Sequence, residues 1–118
     1  MRTVLIVDDH STFRRFARKL LEQAGFIVVG EAEDCATALE AAASLAPDVI
    51  LLDVMLPDGS GVDLAATLAE RATPSTVVLT SSRSATDLGS SIDGVAFLPK
   101  SRFSGVAFSS LLPFHGVA

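Results

Sequence analysis

Three aspartates stand where apolar runs of the sequence end. Asp8 and Asp9 follow the run 4–7, and Asp53 follows the run 49–52. Burying an ionised carboxylate at the end of such a run is costly unless it is paired or binds a metal. Carboxylate oxygens suit hard divalent cations such as Mg²⁺, which often join one or two carboxylates to a phosphate. These residues therefore indicate a built cation site.

Two further polar residues follow apolar runs later in the chain. Thr80 ends the run 75–80, and Lys100 comes shortly after the run 95–98. Either residue alone is ordinary, since threonine often ends a strand and lysine is usually solvated. Together with the three carboxylates they favour one shared site, in which Lys100 supplies a positive charge and Thr80 a hydroxyl donor.

The elements that must position these residues alternate between strand and helix. Segments with apolar residues at helical spacing separate five short β-branched runs. The runs cover 3–7, 26–31, 48–53, 75–80 and 95–98. Strands that are apolar throughout and joined by helices predict an α/β fold with a parallel sheet covered on both faces. Ligands of such sheets bind outside the carboxyl ends of the strands, where all five polar residues are placed.

Five helices are expected between and after these strands. The first carries an apolar stripe over 13–24 and stops at Gly25, and the second is capped by Asp34. A short, weak helix is expected in the fourth position. The expected ranges of the second to fifth helices are 35–45, 61–71, 81–91 and 103–112.

Size and composition favour one domain over residues 1–118, with 113–118 as a short tail and no output domain. The single cysteine, Cys35, excludes an internal disulfide and is interpreted as a structural thiol. A net charge of −5 argues against direct nucleic-acid binding. No apolar run is long enough for a membrane helix and no signal peptide is recognisable, so we expect a cytoplasmic protein without membrane contact.

Four segments together resemble the receiver domain of two-component response regulators, and the resemblance covers nearly the whole chain. They are VLIVDD (4–9), PDVILLDVMLPDGSG (47–61), VVLTS (77–81) and FLPK (97–100). The resemblance implies a flavodoxin-like, doubly wound, five-stranded sheet with strand order 2-1-3-4-5.

The resemblance also implies a role for each site residue. Asp53 is the phosphoacceptor, which takes a phosphoryl group from a sensor histidine kinase. Asp8, Asp9, Asp53 and the backbone carbonyl of Met55 hold Mg²⁺, with Mn²⁺ as an alternative. Lys100 and Thr80 contact phosphoryl oxygens, and Thr80 together with Phe97 forms the switch. On this basis the chain is not an enzyme beyond its own phosphorylation and slow dephosphorylation.

The chain departs from the family pattern around the switch. Pro99 precedes Lys100 and Ser101 follows it, whereas the family usually has a proline after the lysine. Phe97 lacks the hydroxyl of the commoner tyrosine and could simply be a core residue. The segment between Thr80 and Lys100 is also a few residues shorter than usual. The output surface, on the fourth helix, fifth strand and fifth helix, is expected to bind an unknown partner or a second copy.

Two rival functions stay open. A receiver fold could serve as a constitutive interaction or dimerisation module with an unused acidic pocket. A hydrolase with an aspartate nucleophile is disfavoured, because Met55 stands where such enzymes place a further aspartate.

The first helix raises two smaller questions. Its basic side chains form either a solvated face or a kinase-docking surface, and they are Arg14, Arg15, Arg18 and Lys19. His10 is interpreted as the start of this helix rather than as a phosphate relay.

Overall fold

A five-stranded parallel sheet organises the molecule. The computed structural model describes residues 2–71, 75–82 and 96–112. The strands are β1 (Thr3–Val7), β2 (Ile27–Ala32), β3 (Val49–Asp53), β4 (Met55–Leu56), β5 (Gly59–Ser60), β6 (Thr76–Ser81) and β7 (Ala96–Pro99). The helices are α1 (Ser11–Gln23), α2 (Cys35–Leu45), α3 (Gly61–Ala69) and α4 (Gly105–Ser110). The sheet order is β2-β1-β3-β6-β7, with every pair parallel. Since β4 and β5 lie outside this sheet, the order equals the predicted 2-1-3-4-5, and the predicted fold class is confirmed.

The core has two layers, one on each face of the sheet. Alternate residues of a strand point to opposite faces, so the fully apolar strands fill both layers. One layer includes Leu5, Val7, Ile50, Leu52 and Leu79 beneath residues of α2 and α3. The other includes Val4, Ile6, Leu51 and Val78 beneath α1 and α4, together with Phe108 of α4 itself. Both faces of the sheet are therefore buried. Packing on both faces holds the strands in register, and so holds the polar residues at the strand ends in place.

The predicted strands and helices are largely found, with small shifts at their ends. β2 and β6 each begin and end one residue later than predicted. α1 is followed by Gly25, whose φ of 95° is in the region that favours glycine. α2 matches its predicted bounds, and Asp34 caps it by accepting a hydrogen bond from the Thr37 backbone N–H.

Two helices are shorter than predicted. α3 ends at Ala69 rather than at 71. α4 begins at Gly105 rather than at 103, because a 3-10 turn over Lys100–Arg102 comes first and Ser104 then caps the helix through the Ala107 backbone N–H. The prediction for the last helix was therefore too long at both ends.

A small antiparallel hairpin, formed by β4 and β5, was not predicted. Met55 pairs with Ser60 and Leu56 with Gly59. Strands of two residues have too few positions to show an alternating pattern, so the sequence indicated only a turn and a helix start here. The helix start is present, since Ser60 caps α3 by accepting from the Val62 backbone N–H at 3.1 Å.

The basic face of α1 is partly neutralised within the molecule. Glu31 on β2 accepts hydrogen bonds from Nε of Arg14 and Nε of Arg18, both at 2.9 Å. Burial alone would raise the pKa of Glu31, but the hydrogen bonds and charges of the two arginines outweigh it and lower the pKa. Arg15 and Lys19 are exposed. Of the four predicted basic side chains, Arg15 and Lys19 are thus the two that make no ion pair with Glu31.

Several expectations lie outside the described residues, namely most of the fourth helix (81–91) and the tail 113–118. Among the helices of the described ranges, none combines the length and the apolar composition needed to cross a membrane.

Candidate functional site

The predicted polar residues meet at the carboxyl ends of β1, β3 and β6. Asp8 follows β1, and its backbone N–H donates to the carbonyl of Ala32, 3.0 Å away. Asp53 is the last residue of β3 and pairs in register with Thr80 on β6. Asp8 is fully buried, Asp53 is 4% exposed and Thr80 is fully buried. Two buried carboxylates and a buried hydroxyl therefore lie close together at the carboxyl ends of these strands.

The ammonium group of Lys100 lies between the two buried carboxylates. Its Nζ atom is 2.7 Å from Oδ2 of Asp8 and 3.2 Å from Oδ2 of Asp53. The same atom lies 4.6 Å from the centre of the Phe13 ring, within the range of a cation–π contact. Burial alone would lower the pKa of Lys100, but the nearby carboxylates of Asp8 and Asp53 outweigh it and raise the pKa. Lys100 is thus a cation at neutral pH, and its charge partly neutralises the carboxylates of Asp8 and Asp53.

The environment of Asp53 makes its ionised form costly. Burial raises the pKa of its carboxyl group, and the nearby charge of Asp8 raises it further. The Met55 backbone N–H, which donates to Oδ1 at 3.1 Å, and Lys100 act in the opposite direction. The net result is a raised pKa, because one ammonium group does not offset the burial of a carboxylate beside another one. A further cation would stabilise this arrangement.

Asp9 and His10 lie next to Asp8. These three residues together are called the acidic group of the site. Nδ1 of His10 is 3.1 Å from Oδ1 of Asp8 and 3.2 Å from Oδ1 of Asp9. One ligand atom from each of Asp8, Asp9, His10 and Asp53 can be chosen so that all lie within 4.8 Å of one another. Such a spacing lets one ion contact several of these atoms. The donor set therefore fits a divalent cation.

Thr80 leaves a polar atom without a partner. Its Oγ1 atom is buried and makes no hydrogen bond with any described residue, either as donor or as acceptor. An unsatisfied buried hydroxyl costs about 1–3 kcal/mol, so such atoms are uncommon. The hydroxyl of Thr80 is therefore available for a ligand that reaches this edge of the sheet.

The loop after β3 is packed tightly against the site. A Cβ atom added to Gly61 would overlap the backbone carbonyl of Asp53. The Gly61 backbone N–H also donates to the carbonyl of Val54 at 2.7 Å. Only glycine allows the start of α3 to approach the end of β3 this closely. This approach holds the Met55 segment beside Asp53.

Asp58 fastens the same loop to α2. Its carboxylate accepts from the backbone N–H groups of Cys35 and Ala36, at 2.7 Å and 3.1 Å. These N–H groups are otherwise unpaired at a helix start, and their hydrogen bonds lower the pKa of Asp58. Burial and the proximity of Asp58 raise the pKa of the Cys35 thiol to about 11. A thiol with a raised pKa is protonated at neutral pH and is therefore a weaker nucleophile than an ordinary cysteine.

An open cleft of about 330 Å³ lies beside these residues, and Asp9, His10, Asp53, Met55 and Lys100 line it. A family model, described as the response regulator receiver domain, matches residues 4–100. The chain belongs to this family. It is thus a receiver domain of the kind found in two-component response regulators, which are in general signalling modules rather than enzymes.

Curated relatives of this receiver are longer proteins. It is 43% identical over 95 residues to the nitrate/nitrite response regulator protein NarP of Escherichia coli, covering 79% of this chain and 44% of NarP. It is 38% identical over 96 residues to the KDP operon transcriptional regulatory protein KdpE of the same species, covering 81% of this chain and 42% of KdpE. The receiver thus spans less than half the length of either relative.

Solved structures agree with the fold of the receiver. The signal receiver domain of NarL from Mycobacterium tuberculosis superposes with a TM-score of 0.82 at 30% identity, covering 99% of this chain and 98% of that one. A CheY-like receiver domain from Methylobacillus flagellatus has a TM-score of 0.80 at 24% identity, covering 95% of this chain and 99% of that one, and supports the fold alone.

Sequence reasoning placed Asp8, Asp9, Asp53 and Lys100 together, and the receiver structure brings them together. Phe97 is half-buried, packs against the core beneath α2 and α3, and pairs with Leu79 in the sheet. This position fits the interpretation of Phe97 as a core residue, which was the alternative to its role in the switch.

Three interacting residues were missed by sequence reasoning. His10 was interpreted only as a helix start, and although it is the N-cap residue of α1, its ring also reaches the acidic group. The capping role of Asp58 links positions far apart in sequence, so no local signal revealed it. The contact of Phe13 with Lys100 likewise depends on how α1 packs at the end of the sheet.

Proposed function

We propose that this receiver domain accepts a phosphoryl group from the phosphohistidine of a sensor histidine kinase onto Asp53, in a Mg²⁺-dependent reaction. The observation that carries the proposal is the position of Asp53, which ends β3 in the cleft between an acidic group and the ammonium of Lys100. A carboxylate so placed is open to an incoming phosphate and close to the cations that phosphoryl transfer needs.

The donor set suits Mg²⁺. Asp8, Asp9 and Asp53 offer carboxylate oxygens, and the backbone carbonyl of Met55 is the further protein ligand that we propose. Oxygen-only ligands of this kind suit Mg²⁺ and also Mn²⁺. When bound, the cation would neutralise the repulsion between these carboxylates and an incoming phosphate.

The transfer step uses Asp53 as the nucleophile. One carboxylate oxygen attacks phosphorus, an oxygen–phosphorus bond forms, and the nitrogen–phosphorus bond of the phosphohistidine breaks. The departing imidazole keeps the electron pair of the broken bond. Lys100, already within 3.2 Å of Asp53, would pair with a phosphoryl oxygen as charge develops there. Slow hydrolysis of the acyl phosphate would then return Asp53 to its carboxylate.

The unpartnered hydroxyl of Thr80 supports a response to phosphorylation. Thr80 lies in register beside Asp53, so a phosphoryl group there would give its Oγ1 atom an acceptor. We propose that this new hydrogen bond shifts the end of β6 and, through contact with the neighbouring strand, the packing of Phe97. Binding of an output partner or of a second copy would change as a result.

The kinase is proposed to dock near α1, which flanks the site. The exposed cationic side chains of Arg15 and Lys19 suit an acidic partner surface, whereas Arg14 and Arg18 are paired with Glu31. We therefore expect the two exposed residues to contribute more to kinase recognition than the two paired ones.

The chemistry is tested by treating the purified protein with acetyl phosphate and Mg²⁺, followed by mass spectrometry under conditions that preserve acyl phosphates. We expect one added phosphoryl group in the native protein and none in Asp53→Asn. Asp63→Asn, which changes an exposed carboxylate on α3, is the matched control and should still be phosphorylated. An unmodified native protein, or a modified Asp53→Asn, would contradict the proposal.

A second function has one observation in its favour. Lys100 lies within ion-pair distance of both Asp8 and Asp53, so a side chain of the protein itself partly neutralises the acidic pocket, as a constitutive interaction module would require. Partner binding or dimerisation that is unchanged by Asp53→Asn and by acetyl phosphate would favour this module. Binding that depends on phosphorylated Asp53 would favour the switch.

A further inference from the structure

The ring of His10 lies at the mouth of the acidic group. Its side chain is 67% exposed and lines the cleft beside Asp53. Its backbone N–H donates to Oδ1 of Asp8 at 2.8 Å, which fixes the start of α1 against the carboxylate. The ring nitrogen Nδ1 is therefore held near Asp8 by the backbone of the same residue.

Two interatomic distances at this ring match the separation of adjacent ligands around an octahedral ion. Nδ1 of His10 is 3.1 Å from Oδ1 of Asp8 and 3.2 Å from Oδ1 of Asp9. An octahedral ion with bonds of about 2.1 Å places adjacent ligand atoms about 3.0 Å apart. The two distances from Nδ1 suit an ion bound by Nδ1 and a carboxylate oxygen, and one ligand atom from each of Asp8, Asp9 and His10 lies within 4.8 Å of the others.

A nitrogen in this position changes which ions the site prefers. Sites made only of oxygen ligands suit Mg²⁺, whereas imidazole nitrogen suits Co²⁺, Ni²⁺ and Zn²⁺. We propose that Nδ1 of His10 is an additional ligand for divalent transition-metal ions at this site, joining the oxygens of Asp8 and Asp9. Mg²⁺ uses the oxygen ligands alone. This inference rests on the proposed function, which places the cation at this site. It adds His10 to the proposed ligands and transition-metal ions to the proposed cations.

A competing account gives Nδ1 a proton. In that case the ring donates a hydrogen bond to Asp8 and takes no part in metal binding. The two accounts differ in what the removal of the ring does to different metals. Loss of a hydrogen bond would affect all cations alike or none, whereas loss of a nitrogen ligand would affect only the ions that prefer nitrogen.

The test is calorimetric titration of the tag-free protein with Ni²⁺ and, separately, with Mg²⁺. We expect His10→Ala to weaken Ni²⁺ binding by tenfold or more and Mg²⁺ binding by less than twofold. His115→Ala removes the other histidine of the chain and should change neither affinity. With Co²⁺, the ring signals of His10 in the native protein should show large paramagnetic shifts in NMR spectra.

The outcomes separate this inference from the proposed function. Equal loss of Ni²⁺ and Mg²⁺ affinity in His10→Ala, or no loss of either, would overturn the role of His10 while leaving phosphorylation of Asp53 unaffected. A native protein that binds Mg²⁺ at no accessible concentration and is not phosphorylated would instead overturn the proposed function.

Discussion

Nζ of Lys100 lies 2.7 Å from Oδ2 of Asp8, a side chain with no exposed surface. The ammonium group reaches the acidic group from the 3-10 turn after β7 and bridges to Asp53 as well. Lys100 is thus a counter-ion that the protein itself supplies to Asp8 and Asp53. If the site binds a divalent cation as proposed, that cation would share these carboxylates with Lys100.

Removal of this counter-ion should destabilise the metal-free protein. Lys100→Met leaves Asp8 and Asp53 buried without a positive charge, and breaking a buried pair in this way costs about 3 kcal/mol. We expect a loss of that order in the free energy of unfolding, measured by urea denaturation with EDTA. Millimolar Mg²⁺ should restore part of it. Lys19→Met, on the exposed face of α1, is the control, and equal stability of the two variants in EDTA would refute the bridging role.

Thr80→Val should stabilise the unmodified protein while removing its response. The substitution replaces a buried hydroxyl that has no partner among the described residues by a methyl group of similar size, so we expect a gain of about 1 kcal/mol in the free energy of unfolding. Thr76→Val, on the same strand, should have a smaller effect. After acetyl phosphate treatment, the native protein should show NMR shift changes in β7 that the Thr80→Val variant lacks. Undiminished changes in that variant would exclude the proposed role of the hydroxyl.

Gly61→Ala should disturb the surroundings of Asp53 through the backbone. The new Cβ atom would overlap the carbonyl of Asp53, and relief requires α3 or the end of β3 to move. We expect a loss of about 2 kcal/mol in stability together with slower phosphorylation by acetyl phosphate. Gly59→Ala is the matched control, because its Cβ atom would contact only Sγ of Cys35, at 3.4 Å. Similar behaviour of the two variants would contradict the close approach.

Glu31→Gln should reveal a pH-dependent contribution of the two arginine pairs. The pKa of Glu31 is lowered in the folded protein, so its stabilisation is present above the ordinary value of 4.5 and is lost as the pH falls through the lowered value. At pH 7 we expect the variant to be less stable by under about 1 kcal/mol, since the pairs are partly exposed.

Denaturation curves between pH 3 and 7 measure this difference, which should close at the acid end and shrink in high salt. Glu40→Gln, an exposed carboxylate on α2, serves as the control. A stability difference that stays constant down to pH 3 would rule out the ionised carboxylate as its source.

The sheet could be predicted from sequence because its strands are buried on both sides. Runs such as 4–7 and 49–52 are apolar throughout, and an aspartate that follows such a run must lie at the edge of the sheet. The positions of Asp8 and Asp53 followed from that rule, and their proximity followed from the strand order that the family resemblance implied.

Contacts between side chains on separate elements could not be predicted in this way. The bridge from Lys100 to Asp8 depends on the 3-10 turn over Lys100–Arg102, which was not predicted. The reach of His10 into the acidic group depends on the backbone bond that fixes the start of α1. Ser104, three residues before Ala107, was a local capping signal that could have shortened the predicted helix.

The hydrogen bonds from α2 to Asp58 have a consequence for the dynamics of the receiver. They join residues 23 positions apart and so close a non-covalent loop that contains α2 and β3. Opening of the β4–β5 hairpin would expose the first amides of α2 at the same moment. In native-state hydrogen exchange, the amides of Cys35 and Ala36 should then exchange in step with those of the hairpin, as parts of one cooperative unit next to Asp53.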